Sequence, residues 1–149
     1  MPRCHDDGMA LDVELTETRD FLARHEPFDA LPGGVLDRLP ARMTVQYFRR
    51  GTRLIENWRD NHHLYVLRWG ASDVSDPQGS LVDRGSEGAC FGSITLTEGN
   101  PSTFEVTALE DCLALVLPAE DFHRHGAAPH LCLRSRRRLR ARVLRSAAR

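Results

Sequence analysis

The chain has 149 residues, enough for one domain with a buried core and too few for two of ordinary size. Its 41% hydrophobic and 28% charged residues and formal net charge of −1 exclude wholesale disorder and a uniformly basic, nucleic-acid-coating surface. No apolar run reaches the roughly 18 residues of a membrane span, and the opening MPRCHDDGMALDVE lacks a signal peptide's apolar stretch, so a cytoplasmic protein without membrane contact is expected.

Residues 1–10 read as a flexible leader and 11–43 as a helical entry. Leu11, Leu15, Thr18, Phe21 and Leu22 recur at helical spacing up to about His25, where HEPFDALPGG stops the helix with Pro27, Pro32 and two glycines. A second short helix fits VLDRL, from about Gly34 to Ala41. After Met43 the period changes to that of strands. TVQYF, TRLI, HLYVLRW, SDVSD, SLVDR, TFEVTAL and CLALVLP are short runs rich in β-branched and aromatic residues, separated by Gly, Asn, Asp and Pro. Seven or eight such strands over 44–118 predict an antiparallel sandwich or barrel.

In DPQG, Asp76, Pro77 and Gly79 occupy the first, second and fourth positions of a type I turn, which predicts a hairpin between Val74 and Leu81. In CLALVLP, Leu113, Leu115 and Leu117 face one way and Ala114 and Val116 the other, so that strand is expected to be buried on both sides. Residues 119–149 read as C-terminal helices. Pro118 opens the first, with Glu120 and Asp121 in its first turn, and Gly126 and Pro129 interrupt it. In the last, from about Pro129, Leu131, Cys132, Leu139 and Val143 form one apolar stripe.

The scattered cysteines Cys4, Cys90, Cys112 and Cys132 contain no CxxC pair and predict reduced thiols rather than bridges or a zinc site. Charge is divided unevenly. All 20 basic residues are arginine, and eight of them with no acid lie between Arg134 and Arg149, so +8 sits there and −9 over residues 1–133.

The order of elements resembles the cyclic-nucleotide-binding domain, the sensor of catabolite-activator regulators, kinase regulatory subunits and gated channels. Three stretches carry the resemblance. GTRLIENWRDNHHLYVLRWG keeps Gly51, Leu54, Leu64, Tyr65, Val66 and Gly70; DPQGSLVDRGSEGACFG keeps the hairpin, Gly88, Phe91 and Gly92; LPAEDFHRH keeps Leu117, Pro118 and Phe122. Shared phrasing in PFDALP and in the run from Phe91 to Asp111 is closest to bacterial proteins in which such a domain precedes CBS domains and a nucleotidyltransferase. The similarity runs from about Phe21 to Arg145. It implies a mainly β fold, an antiparallel eight-stranded jelly roll with helices at both ends, acting as a non-catalytic regulatory module in signal transduction.

The resemblance also implies a ligand site at Phe91, Gly92, Ser93, Ile94, Ser102, Thr103 and Phe104. In the family, backbone N–H groups after the glycine cradle a cyclic phosphate, an arginine pairs with it, and a glutamate after the glycine accepts the ribose 2′-hydroxyl. Here Ser93 stands at the glutamate's place, and Ser102 or Thr103 at the arginine's. No basic residue lies between Arg84 and Arg124, whereas Glu87, Glu98, Glu105, Glu110, Asp111, Glu120 and Asp121 do. Losing a charge-assisted bond of about 1.5–3 kcal/mol costs about one to two decades of affinity, so the site is expected to be degenerate for cAMP and cGMP. Arg53 or Arg68, reaching in from a neighbouring strand, would change that. The alternative is a sensor that holds a cyclic nucleotide or another small molecule mainly through backbone groups; no other cofactor is expected.

Other constellations point to less. His62 and His63 are adjacent and face opposite ways in a strand, unlike the spaced pair of a metal cupin. His123, His125, His130 and Cys132 do not share a helix face. Asp111 and Cys112 lack a positioned histidine, and no catalytic set emerges. Arg134, Arg136, Arg137, Arg138 and Arg140 read first as a solvated face or linker, and then as a contact for an acidic protein partner, a neighbouring regulated domain or a second copy. A nucleic-acid arm is the remaining reading, disfavoured by the absence of interleaved aromatics and of a following helix-turn-helix.

Overall fold

The computed structural model describes residues 3–25 and 28–124, with residues 3–12 described by their backbone alone. Helix α1 spans Arg3–Ala23, starting eight residues before the periodicity predicts, so it takes in most of the segment read as a leader. Gly8 costs about 1 kcal/mol in a helix interior. Met9, Ala10 and Leu11 after it are strong helix formers, and the far end is anchored because Phe21 and Leu22 are fully buried. A 3-10 turn at Phe28–Ala30, helix α2 at Gly33–Arg38 and a 3-10 turn at Pro40–Arg42 follow. Pro32 immediately precedes α2 and Pro40 opens the second turn, positions where a missing N–H costs nothing. Arg19 of α1 is paired with Asp37 of α2.

Eight strands then run from Thr44 to Pro118: β1 Thr44–Phe48, β2 Arg53–Ile55, β3 His63–Trp69, β4 Ser72–Ser75, β5 Leu81–Gly85, β6 Cys90–Phe91, β7 Glu105–Ala108 and β8 Cys112–Pro118. They form two four-stranded sheets in the orders β1-β8-β3-β6 and β2-β7-β4-β5, and every pairing is antiparallel. The chain is therefore mainly β, an eight-stranded jelly roll with helices at its flanks. Helix α3, Ser93–Glu98, interrupts the strands, and α4, Ala119–Arg124, follows β8. Pro118 ends β8 instead of opening α4.

Strand β8 is buried on both faces, as its unbroken apolar run requires. Leu115 and Leu117 pack with Phe21, Leu22, Phe28, Leu64, Val66 and Phe122 beneath the helices. Cys112, Ala114 and Val116 pack with Leu54, Ile55, Leu67, Val74 and Val106 between the sheets. One strand thus supplies both halves of the core.

The β4–β5 hairpin closes through the DPQG turn. The Gly79 N–H donates to the Asp76 carbonyl at 3.0 Å, and the Asp76 carboxylate accepts from the Gln78 and Ser80 N–H groups at 3.0 and 2.8 Å. The register shifts by one residue between Val74 and Ser75, setting Ser75 opposite Leu81 and Val74 opposite Asp83. Gly79 has φ +84, and a Cβ on it would meet nothing within 4 Å, so only backbone strain opposes a side chain there. Gly79→Ala is expected to destabilise the domain by about 1 kcal/mol, measured by urea denaturation.

Candidate functional site

Strand β6 is followed by Gly92, whose φ of +101 places it in the left-handed region; a Cβ there would lie 2.6 Å from the His63 carbonyl oxygen and 2.7 Å from Asn61 Nδ2. Only glycine fits this turn. Helix α3 starts on it, with the Leu96 N–H and the Thr95 hydroxyl both donating to the Gly92 carbonyl, at 3.1 and 2.9 Å. Asn61 pins the turn from the side, its amide donating to the His63 carbonyl at 2.8 Å and to Thr95 Oγ1 at 3.0 Å. The stretch expected to be an open cradle is thus partly helical.

Gly99 ends α3, and residues 100–104 return along the loop between β2 and β3. The Trp58 N–H donates to the Ser102 carbonyl at 2.7 Å, the Ser102 N–H to the Arg59 carbonyl at 3.3 Å, and the Ser102 hydroxyl to the Phe104 carbonyl at 2.6 Å. Ser102 is buried and Thr103 exposed. Between α3 and this return lies a cavity of about 460 Å³, and all seven residues singled out in the sequence, Phe91, Gly92, Ser93, Ile94, Ser102, Thr103 and Phe104, line it.

Residues that sequence reasoning missed complete the wall. Ile55, Val74 and Val106 make an apolar floor, and His25, just beyond α1, packs beside Gly88 at the rim. Asp83, Glu87 and Glu98 add three carboxylates, and among the described residues Arg84 is the only arginine of the lining. Arg84 is paired across the hairpin, with its Nε 2.9 Å from Asp73 Oδ1. Arg53 and Arg68 do not reach in. Arg53 pairs with Glu105 at 3.4 Å, and Arg68 pairs with Glu87 at 3.3 Å while lying 4.3 Å over the Phe21 ring.

Cys112 is fully buried, donates to the Ala71 and Glu110 carbonyls at 3.2 and 3.1 Å, and burial pushes its thiol up, the opposite of an activated nucleophile. Neighbouring Asp111 accepts the Arg50 backbone N–H at 2.9 Å and the Tyr47 hydroxyl, which hold its carboxyl below the ordinary 3.8. A depressed folded pKa contributes stability above the unfolded value that is lost as pH falls through the folded one. In a carbon-detected NMR titration, Asp111 is expected to protonate below 3.8 and Tyr47→Phe to move it back upward. His63 starts β3 and exposed His123 lies on α4 against Phe122. Among the described residues no group of three or more His, Cys, Asp and Glu side chains could hold a metal ion, and no helix is long and apolar enough to cross a membrane. His125, His130, Cys132 and the arginines 134, 136, 137, 138 and 140 lie outside the described residues.

No curated protein matches the chain. Among solved structures, cAMP-bound PfPKA-R has a TM-score of 0.80 at 14% identity, over 93% of this chain and 49% of that one. The regulatory subunit of a cAMP-independent protein kinase A from Trypanosoma brucei has a TM-score of 0.74 at 17% identity, over 86% and 48%. It is a triple mutant, one change replacing threonine by arginine, bound to cAMP in the A site. The corresponding subunit from Trypanosoma cruzi, bound to guanosine, has a TM-score of 0.72 at 18% identity, over 81% and 44%. The chain spans about half the length of each, and at these identities the likeness establishes the fold. The family model described as cyclic nucleotide-binding domain, a binding and not a catalytic unit, matches residues 45–125. That match covers more than half of the chain, over the stretch from β1 to α4, and so the protein belongs to the cyclic nucleotide-binding domain family.

Proposed function

We propose that the chain is a cytoplasmic, non-catalytic regulatory module whose cavity no longer recognises the phosphate of cAMP or cGMP. One observation carries this reading: among the described residues three carboxylates line the cavity, of which Glu87 is paired with Arg68, and the one lining arginine, Arg84, is paired with Asp73. Ser93, at the ribose-binding glutamate's place, is 2% exposed, and its short side chain reaches less far than a glutamate would. The module acts on a protein partner or a neighbouring regulated domain, such as the CBS and nucleotidyltransferase regions that accompany similar domains. In the family's mechanism, events at the cavity shift the helices after β8, and α4 packs directly on β8 and β3.

A second reading keeps the cavity as a working sensor for an uncharged ligand. About 460 Å³ lies within the range of small-molecule sites, and the guanosine held by the Trypanosoma cruzi relative carries no phosphate. Thermal-shift measurements with cAMP, cGMP, guanosine and adenosine separate the two. A ligand at 100 times its dissociation constant stabilises by about 2.7 kcal/mol. No shift with any of the four supports the degenerate module, and a shift with the nucleosides alone supports the second reading. A clear shift with millimolar cAMP sinks both.

A further inference from the structure

Among the described residues, strand β1 lies at the edge of its sheet with β8 as its only neighbour. Among the described residues, no backbone hydrogen bond outside the β1–β8 ladder reaches Thr44–Phe48. Such an edge presents unpaired N–H and C=O groups, and proteins ordinarily protect it with lysines, prolines, bulges or a covering element. TVQYF has no lysine, proline or bulge, and no described element covers it. Thr44, Val45, Gln46 and Tyr47 are exposed, Val45 at 63% and Tyr47 at 54%. The register extends the apolar surface inward, because Tyr47 lies opposite Leu113 of β8 and Leu113 opposite Trp69 of β3, itself 60% exposed.

The charges at the ends of the strand select among occupants. Arg42 precedes β1, and Arg49 and Arg50 follow it, all exposed. Two carboxylates beside the strand are engaged, Asp121 with Arg42 at 4.0 Å and Asp111 with the Arg50 N–H and the Tyr47 hydroxyl. A second copy added antiparallel about Gln46 would set Val45 against the other copy's Tyr47, a favourable pair, but Arg42 against the other copy's Arg50 at both ends. The arginine-rich segment 134–149 carries the wrong sign throughout. We infer that the free edge of β1 docks an extended segment of a partner protein, apolar at alternate positions and acidic at its ends. Main-chain bonds to the edge supply affinity, Val45 and Tyr47 receive the alternate side chains, and the flanking arginines set register. This surface is independent of the cavity and of what the cavity binds.

The test uses the full chain and two fluorescent peptides with the same Val-Thr-Val-Thr-Val centre, one flanked by Glu-Asp at each end and the other by Lys-Arg. By polarisation the acidic-ended peptide should bind about tenfold or more tightly than the basic-ended one, with the preference shrinking as salt rises. Val45→Lys, an exposed change that protects an edge without touching the core, should abolish binding, and Arg49→Glu with Arg50→Glu should invert the preference. Amide exchange should slow at Thr44–Phe48 in the complex. Equal binding of both peptides, or none at millimolar concentration, overturns the proposal. So does concentration-dependent self-association that Val45→Lys abolishes, since a second copy would then occupy the edge.

Discussion

Phe122→Ala is expected to lower the unfolding free energy by about 3–5 kcal/mol, the cost of emptying a fully buried aromatic site. Phe122 has no exposed surface. It sits in α4 and packs into the cluster of Phe21, Leu22 and Phe28 from the N-terminal segment with Leu64, Val66, Leu115 and Leu117 from the sheet. The side chain therefore joins both ends of the described chain to β3 and β8, and no neighbour can collapse into its place without moving a helix. Against a typical total of about 5–15 kcal/mol the loss is severe. It should appear in calorimetry as a fall in Tm of about 10 °C or more. Trp69→Ala, at a side chain 60% exposed, should change stability by less than about 0.5 kcal/mol. A loss below about 1 kcal/mol for Phe122→Ala would show that α4 does not rest on the sheet.

The dependence on Phe122 also bears on signalling. If α4 is to move when the cavity is occupied, the contact that moves is the one between Phe122 and the cluster under β3 and β8. The variant should accordingly weaken any coupling between the cavity and residues after α4 more than it alters the cavity walls, which Phe122 does not line.

Strand alternation made β1, β3 and β8 legible, and the doubly apolar run of β8 announced its place between two halves of the core. The DPQG turn was legible for the same local reason, since Asp76 and Gly79 fulfil its bonding within four residues. Helix α3 was not. SITLTE contains β-branched Ile94, Thr95 and Thr97, which are weak helix formers, and it is closed by Gly99. It is helical because Gly92 turns the chain at φ +101 and buried Leu96 holds it down. Strand β6, two residues long, is too short for any periodicity. The near side of the cavity came from family resemblance, whereas His25 and Asp83 reach it only through packing of distant segments. The fate of Arg84 was half legible: once the hairpin is placed, Asp73 and Arg84 are directly opposed across β4 and β5, and an opposite-charge cross-strand pair follows.

Thr103→Arg is expected to raise affinity for cAMP by about one to two decades. Of the two positions at which the resemblance places the family's arginine, Ser102 cannot accept it easily. Ser102 is 7% exposed, its hydroxyl is spent on the Phe104 carbonyl, and a guanidinium there would bury a charge without a ready partner. Thr103 is exposed and lines the cavity, so a longer side chain can swing to the phosphate without displacing the core. A charge-assisted bond of about 1.5–3 kcal/mol, at about 1.4 kcal/mol per decade, sets the size of the gain. Glu98, also on the wall, works against it, and adding Glu98→Gln should increase the gain further. Calorimetric titration at fixed ionic strength measures both, with adenosine as the control because it shares the base and ribose but lacks the phosphate. An equal gain for adenosine would mean that phosphate recognition has not been restored. A gain with Ser102→Arg and none with Thr103→Arg would reverse the assignment of the two positions.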